Sequence, residues 1–240
     1  MLVKSRGIVL RRIRYNDSDS IVSLYSSEFG RISYLVGNHR RRKAVNPACL
    51  QPLSLIEYEA DHHNGRELQR LKEIRPLCPL TDIPMNPVKN GISMFLAEIL
   101  TRVLNEAEAN PTLFDYLLQS VEILDRCQAG AANFHLVFLI KLSIFLGFYP
   151  NISDGRKGGY FDLQAGCFTP ARPLHNAWLS PEEARKLVSL MQMRFDNMET
   201  FRFSRQQRTA VLHRILDYYR LHLADFPEIK SLAVLEECFE

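Results

Sequence analysis

Gly30-Arg31-Ile32-Ser33-Tyr34-Leu35-Val36-Gly37, continued by Asn38-His39-Arg40-Arg41-Arg42-Lys43, is a strand-like segment that runs into consecutive cations. Ile32, Tyr34 and Val36 alternate with Ser33, Leu35 and Gly37 after a turn at Phe29-Gly30, the period of two expected of a strand with one face inward. Cations that adjacent cannot neutralise one another, so they repel unless solvent or an anionic partner accommodates them. The run reads either as a solvated turn or as a phosphate-binding loop, and its neighbours bear on the choice.

Upstream, Ile8-Val9-Leu10 leads into Arg11, Arg12 and Arg14, and the turn formers Asn16-Asp17-Ser18-Asp19 separate this segment from Ile21-Val22-Ser23-Leu24-Tyr25. Downstream, Ile56, Tyr58 and Ala60 alternate with Glu57 and Glu59, and Asn64-Gly65 supplies a turn before Leu68, Leu71 and Ile74. Five short strands in the first 80 residues predict a small antiparallel barrel.

Pro76, Pro79, Pro84 and Pro87 mark a linker, after which the apolar period lengthens to the ~3.6 residues of a helix. Asn86-Pro87 and Asn110-Pro111 have the cap and first-turn chemistry of helix starts. Val88, Ile92, Phe95, Ile99, Val103 and Leu104 form one face of the first helix, and Leu113, Leu117, Val121 and Leu124 one face of the second. Asn133 to Phe148 is apolar almost all round, as a central helix would be. Ser180-Pro181-Glu182-Glu183 and Ser204-Arg205-Gln206-Gln207 match the capping box. The expected architecture is α+β: a five-stranded barrel over residues 1–80, then an all-helical domain over 81–240 interrupted by a Gly-rich, polar loop at 150–173.

Composition bounds the function. Of 240 residues, 46% are hydrophobic and 24% charged, which is ordinary for a folded globular protein. The net charge of +3 is unevenly spread: residues 1–80 hold 14 Lys/Arg against 8 Asp/Glu, leaving 16 against 19 in the rest. A basic first third joined to a mildly acidic remainder fits a nucleic-acid-binding part and a protein-binding part. Charges interrupt the start, Met1-Leu2-Val3-Lys4-Ser5-Arg6, before a secretory signal can form, so a cytoplasmic location is expected. Phe134 to Phe148 carries Lys141 and is shorter than the ~20 residues of a membrane span. The five cysteines have no C-x-x-C spacing and read as small buried hydrophobes.

Catalytic signatures are missing. Neither Gly37 to Lys43 nor Gly155-Arg156-Lys157-Gly158-Gly159 satisfies the P-loop pattern, and G-x-G-x-x-G, H-E-x-x-H and G-x-S-x-G do not occur. His62-His63 would point to opposite faces of a strand, poor geometry for one metal. No enzyme activity, cofactor or metal is expected. Binding of single-stranded nucleic acid needs cations along the backbone and aromatic faces for the bases. The first third supplies Arg11, Arg12, Arg14 and Arg40 to Lys43, with Tyr15, Tyr25, Phe29 and Tyr34 interleaved. Tyr34 is a stacking candidate, although its alternation with apolar residues fits the core as well. Arg205, Arg208 and Arg214 in the helical part are candidates for pairing an acidic peptide, or are solvent-facing helix residues.

Gly7-Ile8-Val9-Leu10-Arg11 followed by Tyr15 and Asp19-Ser20-Ile21-Val22, then Glu28-Phe29-Gly30, the basic run, and Leu50-Gln51-Pro52-Leu53 before Ile56-Glu57 resemble the bacterial RecO recombination mediators of DNA repair. Arg214, Tyr218-Tyr219, Leu221-His222-Leu223 and Ser231-Leu232 before Leu235-Glu236-Glu237 extend the resemblance to the other end. It implies an N-terminal OB-fold and a helical domain. It further implies binding of single- and double-stranded DNA, annealing of complementary strands, and loading of RecA onto DNA coated by single-stranded DNA-binding protein. The implied partners are RecR and the acidic C-terminal tail of the coating protein, with RecA engaged indirectly and no membrane, in a nucleoid-associated setting. Many members hold a structural zinc on two C-x-x-C pairs after the central apolar helix, whereas Tyr149 to Pro170 here retains only Cys167. Four ligands cannot be assembled from that stretch, so no zinc is expected, and packing by Tyr160, Phe161 and Phe168 is expected to fix the loop. An OB-fold that binds RNA and an adaptor that binds only protein are the competing readings.

Overall fold

A computed structural model describes residues 1–37, 46–63, 65–153 and 159–239. The chain divides into two compact units, residues 1–126 with 229–238, and residues 127–228 with 239.

In the first unit, β1 (Leu2–Arg14), β2 (Asp19–Ser26), β3 (Gly30–Gly37), β4 (Leu55–Asp61) and β5 (Leu68–Pro76) close a barrel in the order β1-β2-β3-β5-β4. All pairings are antiparallel except β3 with β5, which are parallel. The inward set of the alternation fills the interior: Val9, Val22, Leu24, Tyr34, Val36, Ile56, Tyr58 and Ala60 are buried. The core is not wholly apolar. Tyr34 Oη donates to Tyr58 Oη at 3.2 Å, and Tyr58 Oη donates to Ser26 Oγ at 2.8 Å, so each buried hydroxyl has a partner. Burial raises the pKa of both phenols.

Helices α1 (Pro87–Val103), α2 (Pro111–Arg126) and α6 (Ser231–Glu237) complete this unit. The expected caps form: Asn86 Oδ1 accepts from Val88 N and Lys89 N, and Asn110 Oδ1 from Leu113 N. Arg31 joins the barrel to the end of α1. Its Nη1 donates to Thr101 O at 2.6 Å, Leu104 O at 3.0 Å and Asn105 Oδ1 at 2.9 Å. Two of those acceptors are carbonyls that the helix terminus cannot satisfy internally. Beside it Gly30 has φ of +57°, and a Cβ there would stand 2.3 Å from Glu108 O, so no other residue fits the turn. Helix α6 lies on α1, where Gly91 leaves room for Cys238: a Cβ on it would meet Sγ at 2.8 Å.

The second unit contains α3 (Phe134–Phe145), a three-stranded sheet in the order β7-β6-β8, α4 (Pro181–Met191) and α5 (Arg205–His222). The strands are β6 (Tyr160–Asp162), β7 (Cys167–Thr169) and β8 (Trp178–Leu179). Both capping boxes are present, Ser180 with Glu183 and Ser204 with Gln207. Helix α5 is tied to its neighbours by Tyr219 Oη, which donates to Leu139 O at 2.6 Å, and Tyr218 Oη, which donates to Phe148 O at 2.9 Å. No helix among the described residues is long and apolar enough to cross a membrane.

His135 is fully buried, its ring stacked on Phe239 with centroids 5.6 Å apart. Burial, reinforced by the nearby Arg208 charge, pushes its pKa down to about 3. Its native state therefore stays neutral below pH ~6.5, where the unfolded chain takes up a proton. This term is absent above pH ~6.5 and costs about 1.4 kcal/mol per pH unit as pH falls from there toward the native value. Urea midpoints measured between pH 7 and 5 should fall less steeply in His135→Leu than in the parent. Arg31→Met leaves its acceptors without their donor and should cost about 2–3 kcal/mol in the same measurement.

Candidate nucleic-acid interface

Strand β1 outlasts its pairing with β4, which ends at Ile8 opposite Leu55. From Arg11 onward it pairs only with β2, after a bulge between Val9 and Arg11: Arg11 faces Ser23, Arg12 Val22, Ile13 Ile21 and Arg14 Ser20. Bulges bend a strand and re-aim its side chains, and this one precedes a cationic segment that runs on past the end of the β4 pairing. Because side chains alternate, Arg12 and Arg14 share one face while Arg11 and Ile13 share the other. The three arginines expected to act together are thus split between two faces of one arm. All three are exposed.

Local bonds hold this arm in shape. Arg12 Nε donates to Ser20 Oγ at 3.3 Å, and Arg14 Nη2 pairs with Asp17 Oδ1 at 2.6 Å. In the turn, Asn16 Oδ1 accepts from Ser18 N at 2.8 Å and Asp19 N at 2.6 Å, an arrangement that tightens the hairpin end. Tyr15 projects there with 62% of its surface exposed.

On the Arg11 face the register aligns Ile13, Ile21, Leu35 and Arg70 across β1, β2, β3 and β5. Ile13 is 42% exposed and Arg70 is exposed, so a shallow apolar strip lies between cations. This surface offers charge for phosphates and apolar area for bases. Arg40, Arg41, Arg42 and Lys43 lie outside the described residues. The segment that carries them follows Gly37, which pairs with Asp19 at the hairpin end.

Tyr34 must be reassigned. It is fully buried, points inward opposite Val22 and spends its hydroxyl on Tyr58, so it cannot stack a base. Tyr15, noted in the sequence but not chosen, has the exposure that stacking requires. Its place beside the Asn16-Asp17 turn was the available signal, since a residue entering a tight hairpin end has little core to reach. Arg70 was missed because its partner in the strip, Leu35, is distant in sequence.

In the second unit, a cavity of about 620 Å³ opens among α3, α4, α5 and the small sheet. Phe161, Leu163, Leu187, Val211, Ile215 and Tyr219 supply apolar walls, and Glu183, Lys186, Arg202 and Arg214 also line it. Of the arginines expected to meet an acidic peptide, Arg214 lines this cavity and Arg205, though exposed, does not. Arg208 is a correction: it donates to Asn133 Oδ1 at 3.0 Å and Phe203 O at 3.2 Å and lies over the Phe239 ring, so its guanidinium serves the packing. Lys186 and Arg202 were not singled out, because the cavity exists only once three helices meet.

The model of the recombination protein O N-terminal family matches residues 1–79, and that of its C-terminal family matches residues 85–233. The chain belongs to the RecO family. It is 49% identical over 240 residues to the DNA repair protein RecO of Phocaeicola vulgatus, with all of both chains covered. Identity is 47% over 242 residues to RecO of Bacteroides fragilis and 33% over 241 to RecO of Flavobacterium psychrophilum, again over all of both chains. The closed barrel is the OB-fold of this family. In this RecO chain the segment around Cys167 is held by side-chain packing: Phe161 meets Phe168 with centroids 5.3 Å apart, Trp178 meets Tyr160 at 5.3 Å, and Arg172 lies 4.5 Å over Trp178. His175 Nε2 sits 3.2 Å from Asp162 Oδ2 and completes the corner. Among the described residues, no group of three His, Cys, Asp or Glu side chains is placed to hold a metal.

Tyr15→Ala should weaken single-strand binding by ~1–3 kcal/mol in a fluorescence titration. Tyr34→Phe should leave that affinity unchanged and lower stability by about 1 kcal/mol, since it removes only the bond to Tyr58.

Proposed function

We propose that this RecO-family protein is a non-catalytic mediator of homologous recombination. It binds single- and double-stranded DNA, anneals complementary strands and assists the loading of RecA onto strands coated by single-stranded DNA-binding protein, acting with RecR. The observation that carries the reading is the arm of the OB barrel, where Arg11, Arg12, Arg14 and Tyr15 are exposed on the β1–β2 hairpin. Annealing needs no bond-making residue. Cations that screen phosphate repulsion let two strands approach, and base pairing then supplies the sequence match. In this reading residues 1–80 are the nucleic-acid-binding domain and 81–240 the helical domain, working in the cytoplasm at the nucleoid.

The acidic C-terminal tail of the coating protein is assigned to the cavity of the second unit. A partner with carboxylates and apolar side chains matches its apolar walls and its three cations, Lys186, Arg202 and Arg214.

The deciding measurement is annealing of complementary strands precoated by the cognate single-stranded DNA-binding protein, without nucleotide. Acceleration is expected, and its absence in a folded sample would overturn the mediator reading. Replacing Arg40, Arg41, Arg42 and Lys43 with Ala should weaken single-strand binding. The slope of log affinity against log salt should flatten by ~0.7 for each phosphate that is no longer neutralised, and an unchanged slope would make the run a solvated turn.

A further inference from the structure

One member of the second-unit cavity does not suit an acidic ligand. Glu183 lines it on the same side as Arg214, and its Oε1 stands 3.6 Å from Arg214 Nη2. The other oxygen, Oε2, accepts from Ser180 N and Ser180 Oγ, both at 2.9 Å, as the N3 member of the α4 capping box. One carboxylate therefore does two jobs: one oxygen closes the helix start and the other faces a guanidinium at the cavity. The capping job does not need a charge. Helix α5 closes the same motif with Gln207, whose Oε1 accepts from Ser204 N at 2.9 Å. What Gln cannot do is hold Arg214.

We propose that Glu183 is the positioning and selectivity residue of this cavity, holding Arg214 at its edge as a counter-ion that an incoming ligand carboxylate must take over. The inference rests on the assignment of the acidic tail to this cavity. With side chains 43% and 61% exposed, the Glu183–Arg214 pair is weak enough to exchange. A ligand carboxylate that reaches Arg214 gains the guanidinium but also meets the charge of Glu183. A single carboxylate is then poorly rewarded, while a ligand with several can also meet Arg202 and exchange with Glu182 for Lys186, a pair 2.8 Å apart. The pair thereby sets a threshold that a singly charged ligand does not clear, and it keeps the binding of multiply acidic ones reversible.

The test uses the full-length protein and a labelled peptide of the acidic C-terminal residues of the cognate single-stranded DNA-binding protein. A second peptide has every Asp and Glu replaced by Asn and Gln. Glu183→Gln retains the capping acceptor and should bind the acidic peptide roughly two- to fivefold more tightly at low salt, with a steeper salt dependence and no change for the neutral peptide. Arg214→Gln should weaken the acidic peptide and abolish the gain from Glu183→Gln in the double variant. Fluorescence of the single tryptophan, Trp178, next to the cavity-lining Leu179, verifies that the fold is intact. Binding that Arg214→Gln weakens but Glu183→Gln leaves unchanged would overturn this inference alone. A gain that is equal for both peptides would do the same. No binding of the acidic peptide by the parent or by either variant would remove the tail assignment, and the inference with it.

Discussion

Arg31 is the constraint on which the first unit depends. A guanidinium half withdrawn from water is costly unless its donors are used, and here one nitrogen alone reaches Thr101 O, Leu104 O and Asn105 Oδ1. Burial, with the nearby Arg102 and Arg11 charges, lowers its pKa from the ordinary arginine value. The clamp fixes the Gly30 end of β3 against the segment after α1, where Arg31 N also donates to Glu106 O at 3.0 Å. Gly30 makes the approach possible and Arg31 makes it favourable. With that end of the β2–β3 hairpin held by the helices, the opposite end, at Asp19 and Gly37, is left to carry the arm and the cationic segment.

The barrel interior shows a related economy. A small barrel built from apolar residues alone would leave little to fix its register. The chain of hydroxyls from Tyr34 through Tyr58 to Ser26, continued by Ser5 Oγ at 3.3 Å from Ser26 Oγ, joins β3, β4, β2 and β1. A shift of one residue in any of these strands would strand a buried hydroxyl. This is why Tyr34 is needed inside, and why its ring is not offered to a ligand at the surface.

Local chemistry was the legible part of the sequence. Asn86-Pro87, Asn110-Pro111, Ser180 to Glu183 and Ser204 to Gln207 each begin a helix as their composition demands, because a cap is decided within four residues. Short strand-like runs between turn formers likewise placed all five barrel strands, with alternation explicit only in β3 and β4. Alternation with Ile32 and Val36 already pointed Tyr34 toward the core, whereas Tyr15 belongs to no alternating run and is the exposed ring. Arg208 misled differently: its partners Asn133 and Phe239 come from distant segments, so nothing adjacent betrays that its charge is already used. The return of α6 onto α1 is of the same kind, since only a glycine at position 91 hints that another helix comes close. The cavity gathers residues from Ile140 to Tyr219, and no spacing rule spans that interval.

Arg14 with Asp17 on the barrel arm and Arg214 with Glu183 at the cavity are the same device in two settings. In each, a guanidinium is held by a carboxylate of the chain itself while remaining open to solvent. The held arginine loses less side-chain freedom when a ligand arrives, so it is better prepared than a free one. The cost is competition, because the ligand anion gains only the difference between two ion pairs. Affinity then comes from the number of such exchanges rather than from any one of them, and it falls steeply with salt. Tight capture by one deeply buried pair would hold a strand or a tail after it was needed. Several shallow exchanges instead allow binding and release under the same conditions, as the proposed annealing of strands would require.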